Sequence, residues 1–220
     1  MRGIFVTGTD TNVGKTIVAA ALMHRYRATV GLRYWKPIQT GLEIDDDTAM
    51  VYKLGECREG EIFSQGIRLS QPLSPHLAAR LSSTEIEIDR LTVPAWQDNR
   101  EVRWIVEGAG GVLVPLNNCE FIIDLIVKLS LPVLVVARSS LGTINHTLLT
   151  LAALRSRSLQ IAGVVMVGAA NQDNREAIEH FGKTSVLGEL DNLTPLTSST
   201  LGVWAQERLD PNGLLEEFLR

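Results

Sequence analysis

Cysteine is nearly absent. Cys57 and Cys119 lie far apart, form no CxxC pair and have no histidines at metal-ligand spacing, so a disulfide framework and a thiolate metal site are both excluded. Two free, reduced thiols are expected. Long apolar runs are also missing. The greasiest stretch, LPVLVVA from Leu131 to Ala137, falls far short of the ~20 residues a membrane span requires. Met1 leads directly into IFVTG without the basic and then apolar segments of a signal peptide, and a cytoplasmic protein is expected. An excess of charge is lacking too: the net charge is −4 with 21% charged residues, which offers no basic field to a nucleic acid or a membrane surface. No repeat, low-complexity tract or linker divides the 220 residues, so one domain over residues 1–220 is expected.

What is present is an alternation of short β-branched runs with stretches of helical period, the pattern of βα units wound on a parallel sheet. The runs predict strands over Ile4–Thr7, Leu32–Lys36, Trp104–Glu107, Val133–Ala137 and Ile161–Val167. Several are apolar throughout, as strands covered on both faces must be. Helical spacing predicts Lys15–Tyr26, Asp47–Leu54, His76–Leu81, Phe121–Leu129, Ile144–Arg157 and Asn174–His180, with prolines Pro72, Pro75 and Pro94 marking loops. The fold class is α/β: a mostly parallel, doubly wound sheet with helices on both faces. In such a sheet ligands bind beyond the carboxyl ends of the strands, so the residues after each strand carry the chemistry.

The first strand runs into GTDTNVGKT and then a helix. It has the form of a phosphate-binding loop with one residue too many, since five residues separate Gly8 from Gly14. Gly14 lets the backbone approach an anion, the helix N-terminus favours one, Lys15 can reach the β- and γ-phosphates and the Thr16 hydroxyl can ligate Mg²⁺. The second strand is followed by KPIQTG, which sets Lys36 where a second cation would meet a transferring phosphoryl group. Asp45, Asp46 and Asp47 precede a helix and can cap it or bind metal. Glu107, at the end of an apolar run before Gly108, Ala109, Gly110 and Gly111, is costly to bury unless it faces a cation. After the fourth strand, Gly142 and Thr143 open another helix N-terminus able to hold an anion. The four histidines show no partner at a recognisable spacing.

Taken in order, TGTDTNVGKT, KPIQTG, DDDTAM, SPH, EGAGG and LGTINHTLLT resemble the dethiobiotin synthetases, over about two thirds of the chain. The longer phosphate loop is characteristic of that family. The resemblance implies a P-loop NTPase fold and closure of a cyclic urea on 7,8-diaminononanoate, using CO₂ and MgATP. It implies nucleotide contacts from Asn12, Val13, Gly14, Lys15, Thr16 and Ile17, from Asp47, from Glu107 with Gly108, Ala109 and Gly110, and from Val167 and Gly168. It also implies Mg²⁺ held by Thr16, Asp47 and Glu107, and catalytic charges from Lys15 and Lys36. The diamine would meet Thr11, Lys36 and Thr40. Its carboxylate would dock on Leu141, Gly142, Thr143, Ile144 and Asn145 of a second subunit, which implies a homodimer.

One departure concerns the base. Where many relatives end the fifth strand with Asn-Asp, this chain has Val167 and Gly168, so the usual adenine-reading side chain is missing, and Asn171 is the substitute at hand. Val186–Leu190 resembles the family's second base-side segment. A competing reading is a nucleotide switch of the partitioning or targeting type. Such switches carry a lysine early in the loop, where this chain has Asp10. A cobyrinate amidase would need a glutaminase domain for which the chain is too short, and a non-catalytic module would not need the full set of cations and metal ligands.

Overall fold

In a computed structural model, residues 1–93 and 102–219 are described; Pro94 lies outside them. The chain runs β1 (Gly3–Gly8), α1 (Lys15–Tyr26), β2 (Gly31–Trp35), β3 (Ile38–Gln39), α2 (Asp47–Leu54), β4 (Ile62–Phe63), β5 (Ile67–Arg68) and α3 (Pro75–Leu81). It continues β6 (Val102–Gly111), α4 (Ile122–Leu129), β7 (Val133–Arg138), α5 (Thr143–Ser156), β8 (Ile161–Val167), α6 (Gln172–Gly182), β9 (Val186–Leu190), α7 (Ser198–Glu207) and α8 (Glu216–Leu219). Seven strands form one sheet in the order β4-β2-β6-β1-β7-β8-β9, with every pairing parallel. The short strands β3 and β5 pair separately.

The strands read as continuous apolar runs because both faces are covered. In β1, Ile4 and Val6 point into a core shared with α1, α2 and α7, while Phe5 points into the opposite core with α4, α5 and α6. Burying this much aliphatic surface, at about 25 cal/mol per Å², is the dominant stabilising term. Among the described residues, no helix is long and apolar enough to cross a membrane.

Strands were foreseen where β-branched residues run on, and β8 was foreseen with its observed ends. Four strands were not foreseen as such, and neither were the helices α7 and α8. The two-residue strands β3, β4 and β5 are too short to have a period, and β9 is interrupted by Gly188, against which the Trp204 ring packs. The third expected strand was too short as well. β6 continues through Gly111, and Glu107 lies within it rather than at its end. At that point the ladder slips: β1 advances from Val6 to Gly8 while β6 advances from Glu107 to Gly111. Such an irregularity re-aims a side chain at a sheet's rim.

Candidate functional site

The carboxyl ends of β1, β2 and β6, adjacent in the sheet, bring together the charged residues. α1 begins straight after Gly14, whose φ of 97° lies in the left-handed region that glycine adopts without strain. Asn12, at φ 56°, also turns left-handed. The first turn of α1 carries no acidic residue and no side-chain cap, so its amide groups remain available to an anion. Lys15 folds back over this loop and donates to the Asp10 carbonyl at 2.8 Å. Burial pushes its pKa down to about 8, partly offset by Glu107.

Glu107 is fully buried and wholly engaged. Its Oε1 accepts from Lys36 Nζ at 2.7 Å and from the Thr16 hydroxyl at 2.9 Å, and its Oε2 accepts from the Tyr34 hydroxyl at 2.8 Å. The Thr16 hydroxyl also lies 3.0 Å from Asp47 Oδ1, and Asp47 Oδ2 pairs with Lys36. For Lys36, burial works against the ammonium form, but Glu107 and Asp47 outweigh it and hold the pKa above its ordinary value. Burial, reinforced by the negative charge of Glu107, pushes the Tyr34 phenol well above its ordinary value.

The three consecutive aspartates separate into different uses. Asp46 accepts from the Ala49 amide at 3.1 Å and caps α2, while Asp47 faces Thr16 and Lys36. Thr16, Asp47 and Glu107 thus converge as hard oxygen donors, the set that suits Mg²⁺ with its remaining positions filled by phosphate oxygens and water. Among the described residues there is no cluster of three or more His, Cys, Asp or Glu that would cage a metal unaided.

Asp10 turns away from the loop's interior: its Oδ1 accepts from the Thr11 amide and its Oδ2 pairs with Arg138 at 2.7 Å. Thr11 lies alongside Gly110, and Gly108 leaves room for the Phe5 ring, which a side chain there would meet at 2.9 Å. Val13, in the phosphate loop, and Ala109, in β6, are buried; Ile17 lies in the first turn of α1, and Thr40 directly follows β3. Val167 reaches the loop from β8, its methyls 3.1 Å from where a Cβ on Gly14 would lie. Gly168 is held by a backbone bond from its amide to the Leu190 carbonyl. Asn171 uses its side-chain oxygen to cap α6 through the Asn174 amide, which ties that side chain to the helix start.

Leu141–Asn145 follow β7, which flanks β1 on the side opposite to β6, the strand of Glu107, and β2, the strand that Lys36 follows. Leu141 is fully exposed and Thr143 is buried beneath it at the start of α5. A cavity of about 250 Å³ opens beside the phosphate loop, lined by Thr9, Asp10, Gly111, Val114, His146 and Leu149. A larger, open depression of about 720 Å³ lies at the far end of α1, around Arg25, Asn212 and Glu216, and contains none of the site residues.

Sequence reasoning missed Tyr34, Arg138 and Arg68. Tyr34 was within reach of it, because it stands two residues before Lys36 and the period of a strand puts such residues on one face. Arg138 and Arg68 gave no such signal.

A family model described as an AAA domain matches residues 2–200. A relative from Paramagnetospirillum magneticum, named ATP-dependent dethiobiotin synthetase, is 49% identical over 91% of this chain and 93% of its own. A Brucella ovis protein of the same name is 43% identical over 87% of this chain and 88% of its own. Among solved structures, a ParA family ATPase from Chlorobium tepidum superposes with a TM-score of 0.56 at 9% identity, covering 100% of this chain and 98% of its own, which is a likeness of P-loop fold alone. With the phosphate loop, the buried glutamate and the two lysines in one place, and relatives matching along nearly the whole chain, the protein belongs to the ATP-dependent dethiobiotin synthetase family.

Proposed function

We propose that the chain closes the cyclic urea of dethiobiotin on 7,8-diaminononanoate, with ATP as co-substrate, and that the cluster around Glu107 is where the phosphoryl group moves. One amine of the diamine adds to CO₂ as a carbamate, and a carbamate oxygen attacks the γ-phosphorus, releasing ADP. The second amine then attacks the carbonyl carbon of the mixed anhydride, expelling phosphate and closing the ring. Two anions must meet in the phosphoryl step, which is unfavourable unless cations stand between them.

The supporting observation is that Lys36 is held at the end of β2 by Glu107 and Asp47, beside Lys15 and the phosphate loop. In this reading Lys15 and Lys36 receive the γ-phosphate and the carbamate, and the loop from Asn12 to Ile17 cradles the phosphates. Thr16, Asp47 and Glu107 would hold Mg²⁺, which supplies charge neutralisation at the phosphate oxygens. Thr11 and Thr40 would contact the diamine, and Leu141–Asn145 of a second copy would take its carboxylate, a role suited to the exposed helix N-terminus. That makes the working unit a homodimer. We infer a single domain in the cytoplasm.

Phosphate release measured with and without diamine and bicarbonate tests the proposal: release must require both. Phosphate release that ignores them and responds to a protein partner would instead favour the switch reading, against which Asp10, turned toward Arg138, already stands.

A further inference from the structure

The approach to Asp47 is held mainly by polar contacts: the Leu42 and Glu43 amides donate to the Leu69 and Ser70 carbonyls, and the Asp45 amide to the Gly41 carbonyl. Glu43, Ile44, Asp45 and Asp46 are all exposed, Ile44 to 67%, so no apolar packing fixes the approach to α2. Segments with few buried contacts open readily. Yet the Asp47 carboxylate must keep station between Thr16 and Lys36.

A polar clamp lies directly behind the segment. β3 and β5, outside the main sheet, set Gln39 opposite Arg68. Arg68 Nη1 donates to Gln39 Oε1 at 3.0 Å, and the Gln39 amide, buried, donates to the Asp45 carbonyl at 3.0 Å. Arg68 Nη2 donates to the Thr48 hydroxyl at 3.2 Å and to the Ser64 carbonyl at 3.2 Å. The chain is therefore tied on both sides of Asp47, at Asp45 before it and at Thr48 after it. A guanidinium can do this because its planar fork presents separate donors in a fixed geometry, which a lysine ammonium cannot.

We propose that Arg68, acting with Gln39, is a positioning residue that fixes Asp47 for the metal. Arg68 holds the Thr48 hydroxyl directly and the Asp45 carbonyl through Gln39, and acts on the metal ligand through them. The inference rests on the reading of Asp47 as a metal ligand. Partners of this kind, one step behind a ligand, typically change metal affinity by about 10- to 100-fold when removed.

Calorimetric titration of the full chain with ADP, once in Mg²⁺ and once in EDTA, separates the possibilities. Arg68→Met is expected to weaken ADP binding by about tenfold or more in Mg²⁺ and to leave it unchanged in EDTA. Arg68→Lys should not restore it. Thr48→Val, a milder change that keeps the fold if Arg68→Met does not, should show the same metal-dependent loss, and Thr48→Ser should not. The double variant Arg68→Met/Thr48→Val should be no worse than Arg68→Met alone, since both cut one path. Equal losses in Mg²⁺ and in EDTA would overturn the proposal by making Arg68 a direct phosphate contact, and no loss in either would overturn it by making the clamp merely structural. Asp47→Asn distinguishes the two levels. If it loses affinity only in Mg²⁺ while Arg68→Met does not, the clamp is wrong and the metal assignment stands. If Asp47→Asn shows no metal-dependent loss, the assignment of Asp47 fails and the clamp with it.

Discussion

Lys36 Nζ lies 2.7 Å from Oε1 of Glu107 and pairs on its other side with Asp47, so one buried ammonium joins the two carboxylates expected to bind metal. The lysine offsets one of their two negative charges. Removing it should expose that dependence. Lys36→Met is expected to lose at least ~100-fold in turnover as a preorganised electrostatic group. It should also lose roughly 3–5 kcal/mol of stability without metal, since it leaves a buried carboxylate unpaired. Thermal melts with and without MgCl₂ check the second part: Mg²⁺ should raise the variant's Tm more than the wild type's. Near-normal turnover would remove Lys36 from the mechanism.

Tyr34 offers a contrast, because its hydroxyl bonds Glu107 Oε2 from the side away from Thr16 and Lys36. Tyr34→Phe leaves that oxygen without its donor inside the core. Urea denaturation should show a loss of about 1–3 kcal/mol, the usual cost of an unsatisfied buried acceptor. Turnover should fall much less than in Lys36→Met.

Lys15 makes nucleotide binding sensitive to pH. With its pKa lowered to about 8, the free protein sheds this proton where ordinary lysines keep theirs, and phosphate oxygens beside it restore the charge. Binding of ADP above about pH 8 should therefore take up a proton, seen as calorimetric heats that change with the buffer's ionisation enthalpy. Affinity should fall as pH rises through the same value. The effect on folding has the opposite slope: between about 8 and the ordinary 10.5 the unfolded chain holds the extra proton, so this residue's contribution makes the fold more stable as pH rises.

Base selection should be loose. Val167 packs its methyls toward Gly14, and Asn171 is committed to capping α6, so neither offers a bidentate partner to an adenine edge. A site built to hydrogen-bond its ligand can discriminate by about 10⁴–10⁵, and lacking one this chain should turn over ATP, GTP and CTP within about tenfold of each other. Initial rates with the three nucleotides, diamine and bicarbonate decide it. A large preference for ATP would show that other groups read the base.

The parts of the fold legible in the sequence were those with a period or a punctuation mark. α1 and α2 start where Gly14 and the aspartates announce them, and β7 and β8 are apolar runs bounded by turns. The phosphate loop, Lys36 and Glu107 could be read as a set because each follows or ends such a run. The short ladder of β3 and β5 was invisible, since two residues carry no alternation. Arg68 was invisible for a different reason: its role depends on Gln39, Thr48 and Ser64, which meet it only through the pairing of that ladder. The course of β6 past Glu107 was misread because three glycines in four residues look like a loop, whereas here they let the strand run on beside Gly8 with Phe5 packed against Gly108.

The bond from Thr16 to Glu107 spans 91 residues of sequence and joins the start of α1 to β6. The phosphate loop can be synthesised and can turn into its helix long before Glu107 has left the ribosome, but the lysine and carboxylates meet only when β6 slots between β1 and β2. Contacts of this range form late, after their loop-closure entropy has been met. Closing the sheet is thus also what arms the enzyme. On the roles proposed for these residues, a chain arrested or cut before β6 would present glycines and amides to a nucleotide but lack the carboxylate that stations Lys36.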